Sequence, residues 1–187
     1  MDGFKLVVFQ HNITGLHQDS PPPVSGEATA RHQRQSAEVL RQIVQPHSYE
    51  NGSDDSRTGA VRVEQWLNEA VEQGARRIFG GGRVATMCQP TLLADVTSEM
   101  QMVRDELFGP GIGISRVSNI DEAIQIANDT NDGLSAAIFT QNLDNAMRYA
   151  HEVDAGKIHI NWGTVWRTDF MPYGGLKDSG MGKEGSR

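Results

Sequence analysis

Between Ile112 and Trp162 the sequence alternates β-rich runs with helical stripes, an order that few folds accommodate. Ile112 to Val117 reads as a strand. Ile120, Ala123, Ile124 and Ala127 then recur at helical spacing and make one helix face apolar. Ser118, with Asp121 three residues on, reads as a capping box ahead of that helix. Gly133 closes the connection, and Leu134 to Thr140 reads as a second strand. Asn142 is placed to cap a second helix, whose stripe is Leu143, Ala146, Met147, Ala150 and Val153, with Gly156 beyond its end. A third strand, Lys157 to Trp162, alternates Ile158, Ile160 and Trp162 with Lys157, His159 and Asn161. This succession predicts two βαβ units with right-handed crossovers in a parallel sheet, and hence an α/β fold.

In open α/β sheets, ligands bind beyond the carboxyl ends of the strands. The loop after Asn161 lies at such an end. It carries Trp162, Trp166, Arg167 and Phe170, then Tyr173-Gly174-Gly175, and is a candidate substrate-pocket wall. The competing reading has these aromatics packing on another part of the protein or on a neighbouring subunit. Arg167 is the cation of that loop. Trp166 offers it a ring to pack on, and Asp169 an outward partner.

Upstream, Val63, Trp66, Leu67, Ala70 and Val71 form another helical stripe that Gly74 is placed to end. Arg76 to Phe79 reads as a short strand, and Gly80-Gly81-Gly82 as a turn. No Lys-Ser or Lys-Thr follows those glycines, so they are not a P-loop. The stretch Glu99 to Val117 centres on Glu106-Leu107-Phe108-Gly109-Pro110. If that segment is extended, Glu106 and Phe108 point to one side. A carboxylate accepts hydrogen bonds from neighbouring sugar hydroxyls, and a ring beside it packs on a flat heterocycle. The pair therefore suits the nicotinamide-ribose end of a dinucleotide. The bland alternative is a surface Glu beside a core Phe before a turn.

Four stretches carry a family resemblance. Arg104-Asp105-Glu106-Leu107-Phe108-Gly109-Pro110 resembles the E-[I/L]-F-G-P signature of NAD(P)-dependent aldehyde dehydrogenases. Asn128-Asp129-Thr130, followed by Gly133-Leu134-Ser135-Ala136, is similar to that family's A-N-D-T-x-x-G-L-[A/S]-A. Pro172-Tyr173-Gly174-Gly175-Leu176-Lys177-Asp178-Ser179-Gly180 is similar to its P-[F/Y]-G-G-x-K-x-S-G, and Pro90-Thr91-Leu92-Leu93 to its P-T-[V/L]-L. The resemblance runs from about Arg62 to the end. It implies a partial aldehyde dehydrogenase catalytic domain over residues 59–187, with NAD or NADP as cofactor and Glu106 and Phe108 as cofactor contacts. It also implies oxidation of a small aldehyde to a carboxylic acid by a Cys thiolate and a Glu base. The family's G-Q-x-C and E-L-G-G stretches, which hold that thiolate and base, do not occur in this sequence. Cys88, in Met87-Cys88-Gln89-Pro90, does not fall at the nucleophile's position. The expectation is an inactive chain with no catalytic residue of its own. The alternative is a non-catalytic remnant or interaction module. Apolar surface left uncovered would favour self-association.

Residues 1–58 resemble nothing in the family. Phe4 to Phe9 reads as one strand. Pro21-Pro22-Pro23 and its polar flanks read as linker, Ala28 to Val44 as a short helix, and Asn51 to Ser56 as loop. A shifted or mis-joined reading frame is the expected origin of this segment. A net charge of −7 argues against a general nucleic-acid binder. No apolar run approaches the ~20 residues of a membrane span, and Met1-Asp2-Gly3 lacks a signal peptide's basic start, so a cytoplasmic protein is expected. One cysteine excludes an internal disulfide, and the scattered histidines have no metal-site spacing. Gly180-Met181-Gly182-Lys183-Glu184-Gly185 fits G-x-G-x-x-G in letters only, because no strand precedes it.

Overall fold

The computed structural model describes residues 7–8, 54–164 and 167–185. The helix expected over 28–44, the linker before it and Trp166 lie outside the described residues. The chain divides into two compact units, with the change at Ser115/Arg116.

In the first unit, α1 spans Asp54–Glu72, so the loop expected up to Ser56 gives way to helix at Asp54. The boundary expected at 58/59 falls inside this helix. The predicted stripe forms the buried face: Val63, Leu67 and Ala70 are each 2% exposed, and Trp66 and Val71 flank them. Gly74 ends the helix at φ 109°, a conformation glycine adopts without Cβ strain.

Strand β1 is Val7–Val8, β2 is Arg76–Phe79, β5 is Thr91–Ala94 and β6 is Gly111–Ile114. They form a four-stranded sheet in the order β1-β6-β5-β2. β5 and β6 are parallel, from Thr91 opposite Gly111 to Ala94 opposite Ile114, and the outer pairings are antiparallel. Both faces of β5 are covered. Leu93 joins α1, Val96, Met100, Met102 and Leu107 in one core, while Leu92 packs with Ile112, Ile78, Phe79 and Ile114 in another. Between β2 and β5 the chain makes a hairpin that the sequence did not announce, β3 (Arg83–Val84) with β4 (Met87–Cys88). Gly80 passes so close to the Pro90 carbonyl that a Cβ has no room there. The short helix α2, Gln101–Arg104, leads into the Glu106 segment.

In the second unit, α3 is Ile120–Asn128 and α4 is Leu143–Glu152. α3 buries Ile120, Ala123 and Ile124 as expected. Its cap is one residue later than predicted: Asn119 Oδ1 accepts from Glu122 N–H at 2.9 Å, and Glu122 reaches back to accept from Ser118 N–H at 2.6 Å. The longer glutamate makes the return contact, and Asp121 instead pairs with Arg148 at 2.8 Å. Asn142 caps α4 as predicted, accepting from Asn145 N–H at 3.0 Å. The buried face of α4 is rotated from the predicted stripe. Ala146, Tyr149 and Val153 are inside, whereas Leu143 and Met147 are 74% and 47% exposed. Tyr149 carries the largest ring on the helix, and its burial pushes its phenol pKa up to about 12.

Strands β8 (Ala136–Ile138) and β9 (Ile158–Ile160) are parallel and joined through α4, so the second predicted βαβ unit forms. In the first, the parallel neighbour of β6 is β5 rather than β8, so the strands expected in one sheet fall in two of the four sheets among the described residues. Strand β7 (Asp132–Gly133) pairs antiparallel with β10 (Leu176–Lys177). Among the described residues no helix is long and apolar enough to cross a membrane.

Candidate functional site

The Glu106 segment is fixed from both sides. Leu107 is 2% exposed and sits in the α1 core, which turns its two neighbours away from that core. Arg62 on α1 donates to the Glu106 carbonyl at 3.4 Å and to the Leu107 carbonyl at 3.0 Å, with its guanidinium 4.6 Å from the Trp66 ring. Gly109 lies against Val63, where a Cβ would come within 2.5 Å of a methyl group. The segment is not an extended strand, as the alternation argument assumed. Phe108 has φ 45° and its ring is 60% exposed. A large ring held in solvent by a left-handed backbone is the reverse of a core Phe. The half-buried Glu106 stands two residues before it.

In the second unit the loop after β9 is set at its root. Asn161 has φ 55°, and its side chain accepts from Thr140 N–H at 2.8 Å and donates to the Thr140 carbonyl at 3.0 Å. This ties the ends of β8 and β9 together. Beyond it, Trp162 is 39% exposed, Phe170 is 82% exposed and Arg167 is exposed. Of its two predicted partners Trp166 lies outside the described residues, and among the described residues Arg167 forms no ion pair with Asp169. Its guanidinium lies 4.7 Å from the centroid of the Tyr173 ring, and Lys157 Nζ lies 4.7 Å from the same centroid. Burial, then the Arg167 charge, hold the Lys157 ammonium below the ordinary lysine pKa. His159 follows on the same face of β9. It is 5% exposed, and burial and Lys157 lower its pKa.

The sequence placed Tyr173 in the same loop as Arg167 but gave Lys157 and His159 no role. Their signal was the alternation in β9, where the polar residue takes the buried side and Ile160 is 44% exposed.

The third motif closes the loop. Tyr173 and Glu184 exchange backbone hydrogen bonds of 2.9 and 2.6 Å. Lys177 Nζ donates to the carbonyls of Asn128 and Thr130 at 2.9 and 3.0 Å, a cation on the C-terminal end of α3. Ser179 Oγ accepts from Gly133 N–H at 2.9 Å and donates to Asp132 Oδ1 at 3.4 Å. The Asn-Asp-Thr and Lys-x-Ser-Gly runs are thus one hydrogen-bonded structure.

Cys88 Sγ donates to the Ala60 carbonyl at 3.4 Å. Burial pushes its pKa up, with Arg83 opposing and Glu64 adding to the rise. A thiol held protonated is a poor nucleophile.

A mixed sheet under a helix that pins an exposed Phe, and a βαβ unit with a cationic, aromatic loop at its carboxyl end, describe part of an α/β fold. The model of the aldehyde dehydrogenase family matches residues 32–187, and the chain belongs to that family. The match reaches further back than the readable motifs. The 3-sulfolactaldehyde dehydrogenase of Priestia aryabhattai is 44% identical over 128 residues, covering 68% of this chain and 27% of that protein. The crystal structure of aldehyde dehydrogenase 21 from Physcomitrella patens, in complex with the product succinate, superposes with a TM-score of 0.75 at 29% identity. That match covers 86% of this chain and 34% of the other. The NADP-dependent glyceraldehyde-3-phosphate dehydrogenase of Bacillus halodurans, complexed with NADP, superposes with a TM-score of 0.66 at 36% identity, over 69% of this chain and 27% of that one. The chain therefore spans about 27% of the length of the curated relative.

Proposed function

We propose that this chain is the part of an aldehyde dehydrogenase that contacts the nicotinamide end of NAD or NADP and walls the aldehyde entrance, in an enzyme oxidising an aldehyde to a carboxylic acid. The observation that carries this is Phe108. Its ring is presented to solvent by a left-handed backbone, with Leu107 anchored behind it and Arg62 holding the Glu106 and Leu107 carbonyls that precede it. Glu106 would take the ribose hydroxyls and Phe108 the face of the heterocycle. The bound dinucleotide supplies a hydride acceptor for aldehyde oxidation. Residues of this chain do the holding and orienting.

On this reading Trp162, Trp166, Arg167 and Phe170 line the approach of the aldehyde. A guanidinium there favours substrates with an anionic group. The named substrate of the Priestia relative, 3-sulfolactaldehyde, carries one, which supports the same direction. The nucleophile and base belong to sequence stretches this chain does not contain, so the chain by itself is expected to lack turnover.

A chimera tests the proposal. Residues 62–187 replace their counterpart in the Priestia enzyme, and formation of reduced cofactor is followed. Phe108→Ala should raise the KM for the dinucleotide and lower kcat/KM by about 1–2 kcal/mol, roughly five- to thirty-fold. Unchanged cofactor kinetics in Phe108→Ala and Glu106→Gln alike would remove both residues from the cofactor site.

A further inference from the structure

Most cations of the second unit are matched. Arg148 pairs with Asp121 and Glu152, while Lys177 and Lys183 donate to backbone carbonyls. Lys157 and Arg167 are different. Both lie 4.7 Å from the centroid of one ring, that of Tyr173. Among the described residues, neither forms an ion pair with a carboxylate, although Asp169 and Glu184 are close in sequence to Arg167 and Tyr173. The ring's π face attracts each cation and offsets part of their repulsion. It supplies no counter-charge.

A second observation falls on the same strand face. His159 on β9 stands two residues after Lys157, which immediately precedes that strand. Its Nε2 is the buried side-chain atom left without a hydrogen-bond partner among the described residues. Buried polar atoms are rarely left so, and each one needs an explanation. Two cations without a counter-ion, beside a polar atom without a partner, together ask for an anion with hydrogen-bonding capacity.

We propose that Lys157 and Arg167, held on the Tyr173 ring, bind a small oxyanion head group of the phosphate or sulfonate type, with His159 supplying a further hydrogen-bonding group. Three oxygens allow the guanidinium fork and the ammonium to be engaged at once, whereas the two oxygens of a carboxylate are used by the fork alone. The site deepens the proposed function, and rests on it only in making the anion the tail of an aldehyde. The binding itself needs no turnover and is measured on this chain as it stands.

The probe is inorganic phosphate, titrated into the chain at constant ionic strength against chloride and acetate. Thermal stability and amide NMR shifts are followed. Phosphate should raise Tm above both controls, as a ligand of the folded state does. It should shift the amides of Lys157, Arg167 and Tyr173 before others. Arg167→Gln alters an exposed side chain, and with Lys157→Met it should weaken phosphate binding at least ten-fold. Lys157→Arg should keep it. Glycerol 3-phosphate is the second arm. Tighter binding than phosphate assigns the site to a head group on a small molecule, equal binding assigns it to the free ion, and either upholds the site. A phosphate effect no larger than that of chloride or acetate overturns the proposal, as do shifts centred on Arg148 or Lys183, or full binding by Arg167→Gln. Loss of cofactor kinetics in the chimera bears on the proposed function alone.

Discussion

At the scale of single residues, the buried His159 sets a pH dependence whose sign follows from its environment. Burial and the Lys157 charge lower its pKa in the folded state, whereas in the unfolded chain it titrates near ~6.5. Above that pH both states are neutral and the group contributes nothing to the slope. As pH falls below it, the unfolded chain takes up a proton that the folded chain refuses, so stability declines until the folded-state pKa is reached. Glu152 is depressed by its hydrogen bond to Arg148, and acts at lower pH, within the carboxylate range. Urea denaturation between neutral and mildly acid pH should show the earlier decline, and His159→Phe should flatten it. A decline unchanged in that variant would assign it to other groups. Arg62 makes a second prediction. It donates to two main-chain carbonyls that hold the Glu106 segment. Arg62→Ala should cost about 1.5–3 kcal/mol, the range for hydrogen bonds from charged donors, read from the same denaturation curves. A loss below about 0.5 kcal/mol would mean that the carbonyls find water at no cost. Neither residue stood out in the sequence. Arg62 is separated from its acceptors by more than forty positions, and a histidine in a strand looks the same whether its face is wet or buried.

At the scale of elements, what was readable followed from periodicity, and what was misread followed from choices that periodicity leaves open. The α1 stripe was legible because five apolar positions agree on one face. The α4 stripe was misjudged because two overlapping faces are nearly as apolar, and Tyr149 decides between them by its size. The α3 cap shifted by one because Ser118 with Asp121 and Asn119 with Glu122 both fit a capping pattern. Only the structure shows Asp121 taken by Arg148. Strand β9 was found, but alternation identifies two faces and not which is inward, so the burial of His159 was not readable. The β3–β4 hairpin is two residues a side and leaves no pattern to read. The extended backbone supposed for the Glu106 segment does not hold at Phe108, whose φ is 45°. The caps give an element-scale prediction. Asn119→Ala and Asn142→Ala should each cost about 0.5–2 kcal/mol, with Asn119→Asp and Asn142→Asp restoring most of it. Circular dichroism during urea unfolding measures both. Equal stability of the Ala and Asp variants would show that water serves these N–H groups as well as a side chain does.

At the scale of the whole molecule, the distribution of apolar side chains governs behaviour in solution. In the second unit alone, Phe139, Leu143 and Phe170 are 62%, 74% and 82% exposed, with Met147 and Ile160 also exposed. Single exposed hydrophobics are ordinary on a folded surface, and groups of them are not. Leu143 and Met147 are four residues apart on α4 and therefore share a face. That face continues the apolar character of the helix past its buried side, which is why the sequence pattern placed both residues in the core. A net charge of −7 opposes association at long range, but salt screens it within roughly 8 Å at physiological ionic strength. The chain should therefore self-associate as concentration rises, and more readily as salt is added. Analytical ultracentrifugation over a concentration series measures this directly. Converting Leu143 and Met147 together to Glu should shift the distribution toward monomer. It should leave the fold intact, because neither side chain is buried and the added carboxylate at position 143 lies in the first turn of α4, where the helix dipole favours it. A wild-type chain that stays monomeric across the series at both salt concentrations would sink the prediction. Association that survives the double substitution would place the contact on other exposed groups, with Phe139 and Phe170 the next to be changed.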